Sequence, residues 1–171
     1  NPNLTVNETQ KSAILKIIDR LLLNEPIEYI VEEAEFFDFT FKVNPAVLIP
    51  RPETEELVQI VSKSSSKSAK KAVLDIGTGS GCIALSLKKE LPNALVCGLD
   101  VSPAAIKVAK QNSQKLNLNV EWICCGIEEF ETAQKFDTIV SNPPYIPISD
   151  KKEMAKHVLD HEPHLALFAP E

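Results

Sequence analysis

Residues 72–81 read AVLDIGTGSG, an apolar run that leads directly into three glycines at alternate positions. Such a run followed by a glycine-rich turn predicts a buried strand whose end opens a helix. Glycine lets the backbone turn sharply and approach a ligand closely. In an open α/β sheet the carboxyl end of such a strand is where a nucleotide-like ligand binds.

The spacing of these glycines narrows the ligand class. A dinucleotide fingerprint would need its third glycine at position 82, which is Cys82, and no Gly-Lys-Ser/Thr follows to make a P-loop. Alternate glycines after Asp75 resemble instead the first motif of S-adenosylmethionine-dependent methyltransferases. Asp100, at the end of the next predicted strand, is placed to accept hydrogen bonds from both ribose hydroxyls. The plainer alternative is a glycine-rich turn beside a solvated aspartate.

Short apolar runs alternate with helical patterns through the rest of the chain. Strands are predicted at residues 73–76, 95–99, 120–124 and 138–141, and helices at 83–91 and 104–116. This alternation indicates β-α-β units and a parallel sheet with helices on both faces.

The first seventy residues follow another pattern. A capping box at Thr5 and Glu8 predicts an amphipathic helix that runs to Asn24. Alternation over residues 37–43 predicts a half-buried strand, a second helix is expected over residues 53–62, and residues 62–71 are typical of a solvated linker.

Composition bounds the function. The 171 residues fit one domain with an appendage, and the net charge of -6 has the wrong sign for holding nucleic acid. No apolar run reaches membrane-spanning length. The four cysteines lack paired metal-ligand spacing and are interpreted as buried reduced thiols of an intracellular protein.

Three histidines raise the question of a metal site. His157, His161 and His164 have spacings that would suit one helix face. Pro163 interrupts that helix, and no cysteine or carboxylate cluster completes a ligand set, so no metal is expected.

Residues 142–145, Asn-Pro-Pro-Tyr, follow the fourth predicted strand and so lie beside the ligand crevice. A planar nitrogen delocalises its lone pair, so an enzyme that modifies it must hold both hydrogens. The Asn142 side-chain oxygen and the Pro143 carbonyl can accept them, Pro144 restricts the backbone, and Tyr145 can stack on a flat group. The alternative is a proline-rich turn that only ends a strand.

Three segments together resemble one family. Residues 47–55 (VLIPRPETE), the loop at 77–81 and residues 140–145 (VSNPPY) are similar to the HemK/PrmC family of peptide chain release factor glutamine methyltransferases. Asn-Pro-Pro-Tyr also occurs in adenine-N6 DNA methyltransferases, whereas Ile-Pro-Arg-Pro-Glu-Thr-Glu is much more specific. The resemblance implies a Rossmann-like class I methyltransferase sheet. It also implies an enzyme that transfers a methyl group from S-adenosylmethionine to the glutamine amide of a Gly-Gly-Gln motif.

The resemblance also implies roles for residues. Asn142, Pro143, Pro144 and Tyr145 would hold the glutamine amide. The family's usual aspartate facing the adenine is replaced here by Gly126, while Ile127 can pack on the ring. The residues expected to bind cofactor are Gly77, Thr78, Gly79, Ser80, Gly81, Asp100, Ile127 and Asn142.

The family's domain plan predicts the organisation of this chain. Residues 1–30 would be the last helix of a helical domain, 31–50 a β-hairpin connector, and 51–171 a methyltransferase domain incomplete at its carboxyl end. Four of the family's seven strands are readable, in the order third, second, first, fourth, with the fourth at an edge. We therefore expect a fragment that binds cofactor weakly at best and does not turn over.

Two other functions stay open: an adenine-N6 nucleic-acid methyltransferase that acts on a flipped base, and a non-catalytic cofactor-binding fragment. The favoured partner is a release factor, with no direct nucleic-acid or membrane contact. The protein is expected to be a monomer in the cytoplasm or the mitochondrial matrix.

Overall fold

The computed structural model describes residues 6–64 and 70–169. These residues form an α/β fold around a parallel sheet, and three helices and a β-hairpin precede that sheet. Two short 3-10 helices, Ile127–Glu129 and Ile148–Glu153, lie in the second half. The other elements, in chain order, are α1 (Glu8–Leu22), α2 (Ile27–Val31), β1 (Glu33–Phe36), β2 (Phe39–Lys42), α3 (Thr54–Lys63), β3 (Ala72–Ile76), α4 (Cys82–Glu90), β4 (Leu95–Asp100), α5 (Pro103–Leu116), β5 (Glu121–Cys124), β6 (Thr138–Ser141), β7 (Ile146–Pro147), α6 (Lys156–His161), α7 (His164–Leu167) and β8 (Phe168–Ala169).

The central sheet has four parallel strands in the order β5-β4-β3-β6. This confirms the predicted order and places β6 at an edge of the described sheet. Parallel strands share one direction, so their carboxyl ends lie on the same side of the sheet. Three groups therefore meet there: the glycine loop after β3, Asp100 at the end of β4 and the segment after β6. The fold thereby brings together groups far apart in sequence.

Helices cover one face of this sheet. Val73, Val96 and Val140 pack there against apolar residues of α3 and α4. The β3-to-β4 and β4-to-β5 crossovers step in the same direction along the sheet, so right-handed connections place α4 and α5 on the same side.

The opposite face of the sheet packs against the connection between β5 and β6. Leu74, Cys97 and Leu99 pack there against Phe130 and Phe136 from the connection between β5 and β6. The prediction of helices on both faces is therefore wrong for the described residues, because residues 125–137 form only a single 3-10 turn.

Helix α1 begins later than predicted. Asn7 is its N-cap and shares a reciprocal capping box with Gln10, whereas Thr5 lies outside the described residues. The apolar residues that define its amphipathic face, including Ile14, Ile18 and Leu22, are exposed. Residues 65–69 of the predicted linker also lie outside the described part of the chain.

The predicted strand over residues 37–43 proves to be half of a hairpin. Strands β1 and β2 pair antiparallel, and Phe37 and Asp38 form the turn between them with φ of 48° and 62°. Positive φ at both central residues is the geometry of tight hairpin turns, usually built from Asn and Gly. Helix α2, which was not predicted, precedes the hairpin and begins directly after Pro26.

Within residues 6–64 and 70–169, no helix combines the length and apolar character needed to cross a bilayer.

We predict that Gly98→Ala destabilises the sheet. A Cβ at Gly98 would lie 2.4 Å from Cζ3 and 2.7 Å from Cε3 of Trp122, a ring packed against the core. We expect the free energy of unfolding to fall by about 2 kcal/mol in urea titrations, the usual cost of overpacking.

The matched control is Gly126→Ala, where the nearest atom to the new Cβ, at 3.2 Å, is the carboxylate oxygen of Glu128, an exposed side chain. Equal stability of Gly98→Ala and the control would contradict this account of Trp122.

Candidate active site

A cavity of about 500 Å³ opens at the carboxyl edge of the sheet. A second cavity of about 440 Å³ adjoins it, and Pro143 and Tyr145 line this one. Gly81 is the single predicted cofactor residue that does not line the first cavity. The predicted residues that do line it are Gly77, Thr78, Gly79, Ser80, Asp100, Ile127, Asn142 and Pro144.

The glycine loop needs its glycines for two reasons. Gly77 and Gly79 have φ of 71° and 56°, a left-handed backbone that residues with a Cβ rarely adopt. Gly81 is the N-cap of α4, and a Cβ there would lie 2.8 Å from the Trp122 ring. Gly81 therefore allows the helix to pack closely, while the other two shape the cavity wall.

Asp75 supports the glycine loop through a buried hydrogen bond. Its side chain is fully buried, and its Oδ2 accepts a hydrogen bond of 2.6 Å from Thr78 Oγ1. Burial raises the pKa of this carboxyl to about 7, and hydrogen bonds from Thr78 and the Ala84 backbone offset only part of that rise. Asp75 does not line the cavity, so its part in the motif is structural.

Asp100 connects two loops at the cavity wall. Its Oδ2 accepts from the Gly79 backbone N–H at 2.8 Å and its Oδ1 from the Ser102 N–H at 2.9 Å. Each carboxylate oxygen can accept more than one hydrogen bond. The same side chain can thus fix the loops and still accept from ligand hydroxyls.

Asn142 lines both cavities, and its amide has a defined orientation. Its Nδ2 donates to Thr54 Oγ1 at 3.2 Å, which leaves Oδ1 as the acceptor at the junction. Thr54 is the first residue of α3 and also lines both cavities. The sequence prediction missed Thr54 because the two residues are 88 positions apart, and the only signal was that Thr54 belongs to the Pro-Glu-Thr-Glu segment.

An ion pair lies at the wall that the two cavities share. Both oxygens of Glu162, a side chain only 2% exposed, accept from the Arg51 guanidinium at 2.6 Å and 2.8 Å. Arg51 lines both cavities. The pair therefore ties the segment before α3 to the corner between α6 and α7.

The histidines and cysteines of the described residues do not form a metal-binding cluster. His161 and His164 are separated by the break at Pro163, and each ring Nε2 lies near a backbone carbonyl oxygen. Among the described residues no group of three or more His, Cys, Asp or Glu has a metal-binding arrangement. The prediction of buried thiols is confirmed for Cys97, whereas Cys82 and Cys125 are only partly buried. It is wrong for Cys124, which is exposed at the end of β5.

The fold and the site together define a Rossmann-like class I methyltransferase. The tRNA (uracil-54, C5)-methyltransferase of Pyrococcus abyssi, solved with S-adenosyl-L-homocysteine, matches with a TM-score of 0.52 and 23% identity. The match covers 66% of this chain and 27% of that chain. At this identity the likeness concerns the fold alone, and it confirms the predicted fold class.

The chain belongs to the methyltransferase-domain family, whose model matches residues 67–167, more than half of its length. It is also a relative of proteins named release factor glutamine methyltransferase, as its motifs predicted. The protein of that name from Flavobacterium psychrophilum is 47% identical over 98% of this chain, and that from Bacteroides thetaiotaomicron 44% identical over 99%. The chain spans 60% and 61% of those relatives' lengths.

We predict that Asp75→Asn removes a pH dependence of stability. The folded carboxyl titrates near pH 7 and the unfolded one near 3.8. Between these values the folded state binds more protons, so the free energy of unfolding falls as pH rises, by up to about 1.4 kcal/mol per pH unit. The neutral amide should lack this component.

Urea unfolding measured across that pH range tests this, with Asp150→Asn, an exposed position, as control. Parallel pH profiles for the natural protein and Asp75→Asn would show that Asp75 is ionised in the fold.

Proposed function

We propose that this chain carries the S-adenosylmethionine site of an enzyme that methylates the glutamine amide in the Gly-Gly-Gln motif of a peptide chain release factor. The observation that carries the proposal is the Asn142 amide at the junction of the two cavities, oriented by Thr54. Relatives named for this activity, at 44–47% identity, support the substrate.

The first cavity fits the cofactor. Its volume of about 500 Å³ lies within the range of small-molecule sites. Asp100 offers acceptors for ribose hydroxyls, and the glycine loop offers close backbone approach. The charged lining residues are Arg51, which is paired with Glu162, and the two carboxylates Asp100 and Glu128, a balance that suits a cationic ligand.

The second cavity supports the role of amide site. Asn142 Oδ1 would accept one N–H of the substrate amide and the Pro143 carbonyl the other, so the nitrogen points toward the first cavity. Tyr145, with 76% of its surface exposed, can stack on the planar group. Bound S-adenosylmethionine supplies an electrophilic methyl group. The residues of this chain orient the acceptor and strengthen their hydrogen bonds as positive charge develops on the nitrogen.

The domain organisation and the cellular location of the chain follow from the same proposal. Residues 1–30 would end a helical domain, 31–50 would connect, and 51–171 would form the catalytic domain. The absence of direct nucleic-acid and membrane contact and the monomeric state stay predictions. An intracellular enzyme fits a release-factor substrate, and the bacterial relatives favour the cytoplasm over the mitochondrial matrix.

The decisive experiment offers labelled S-adenosylmethionine with either a release factor or duplex DNA and locates the label by mass spectrometry. The chain is tested alone and extended at its carboxyl end with the corresponding residues of the Flavobacterium relative. Label on the glutamine supports the proposal, and label on adenine supports the nucleic-acid alternative. No label with the extended chain, despite cofactor binding, supports a non-catalytic domain.

We predict that Asp100→Ala weakens binding of S-adenosylhomocysteine by about 1 to 3 kcal/mol, because charge-assisted hydrogen bonds to the ribose are lost. Calorimetry measures the change, with Asp150→Ala as the matched exposed control. Unchanged affinity would refute the ribose role.

We also predict that, in the chain extended at its carboxyl end, Asn142→Ala removes most methyl transfer but leaves cofactor affinity nearly intact, since its acceptor serves the target nitrogen. Thr54→Val should lower kcat by about tenfold through loss of amide orientation, which corresponds to about 1.4 kcal/mol. Thr54→Ser should restore it. Full turnover by Asn142→Ala on a release factor would overturn the mechanism.

A further inference from the structure

Residues 125–128 form the wall of the first cavity beyond β5. Gly126 contributes no side chain to this wall, and Glu128 is exposed within the 3-10 turn. Among residues 6–64 and 70–169, no hydrogen bond or ion pair engages the Glu128 carboxylate. The Glu128 carboxylate at the cavity wall can therefore accept hydrogen bonds from a ligand.

Glu128 reaches back over Gly126. A Cβ built on Gly126 would lie 3.2 Å from Glu128 Oε2, and, its chain neighbours aside, no other atom of the described residues lies within 4 Å of it. Gly126 has φ of -71° and ψ of 155°, which any residue adopts without strain. Glycine is therefore not required by the backbone here, and its lack of a side chain leaves the space that the Glu128 carboxylate approaches.

The order of the strands indicates which part of a nucleoside this carboxylate would meet. The glycine loop follows β3, Asp100 ends β4 and residues 125–128 follow β5, and these three strands are neighbours in that order. Adjacent strands are about 4.8 Å apart, so a nucleoside whose ribose lies on Asp100 extends its base over the end of β5. Ile127 offers apolar surface there, and Glu128 offers oxygens.

We propose that Glu128 recognises the exocyclic amino group of the cofactor's adenine, in place of a side chain at position 126. This inference rests on the proposed function. An adenine presents an N–H donor at its 6-position, and a carboxylate accepts it with a charge-assisted bond, whereas a 6-oxo base presents an acceptor that the carboxylate repels. Glu128 would thus determine base specificity.

The test compares binding of S-adenosylhomocysteine with that of S-inosylhomocysteine, in which a carbonyl replaces the amino group. Calorimetry on the chain extended at its carboxyl end, as above, should show the adenine compound bound about tenfold more tightly, the effect expected for a charge-assisted hydrogen bond at an accessible site. Glu128→Ala should lose that preference through weaker binding of the adenine compound. Glu129→Ala, the exposed neighbour absent from the cavity wall, should keep it.

A second variant separates recognition from local damage. Gly126→Asp added to Glu128→Ala returns a carboxylate to the same wall from a position that tolerates any residue. It should restore the preference for adenine.

Failure modes of the inference and of the proposed function are distinct. Binding of both compounds with equal affinity by the extended chain without substitution, or an unchanged preference in Glu128→Ala, would overturn the role of Glu128 and leave the proposed function standing. Lack of binding of either compound by the extended chain would overturn the proposed function itself.

Discussion

A single buried amide, Asn112, holds the cavity in shape. Its side chain is fully buried in α5, its Oδ1 accepts from the Lys42 N–H at 2.6 Å, and its Nδ2 donates to the carbonyls of Lys42 at 3.0 Å and Ser80 at 2.9 Å. Both donors and the acceptor are therefore satisfied, the condition under which a buried polar group fixes a structure. The amide joins the hairpin, α5 and the glycine loop. Residues 44–53 continue from that hairpin to the other wall of the cavity, so this contact joins the glycine loop to the start of the segment that leads there.

The second wall depends on packing. Helix α3 contributes Val58 and Val61 to the core beside α4, which fixes the start of the helix at the sheet edge. Thr54 thereby lies within hydrogen-bond distance of Asn142, at the end of β6. The catalytic geometry proposed above thus results from two unrelated constraints, the strand order that places Asn142 and the helix packing that places Thr54.

These constraints explain which features the sequence could predict. Strands, helices and the glycine loop follow from local periodicity, and the sheet order and cofactor class followed from family resemblance. The hairpin turn was hidden because Phe37 continues an alternating pattern while its backbone adopts positive φ. Asn112 has the appearance of an ordinary polar residue on a helix, and its partners are 70 and 32 positions away. Contacts of that range have no local signal, so neither the partners of this amide nor the contact of Thr54 with Asn142 was predictable.

The charged groups around the cavity together favour a positively charged ligand. Burial beside Asp100 holds Asp75 largely protonated below neutral pH, so that the glycine loop does not carry a second full negative charge beneath it. Asp100 has backbone N–H groups on both oxygens, and Glu128 adds a second carboxylate, while the Arg51 charge is matched by Glu162. Opposite charges attract more strongly away from bulk water. Under the proposed function, this excess of carboxylate favours a cationic sulfonium over the neutral thioether that remains after methyl transfer, and product release is accordingly easier than release of the intact cofactor.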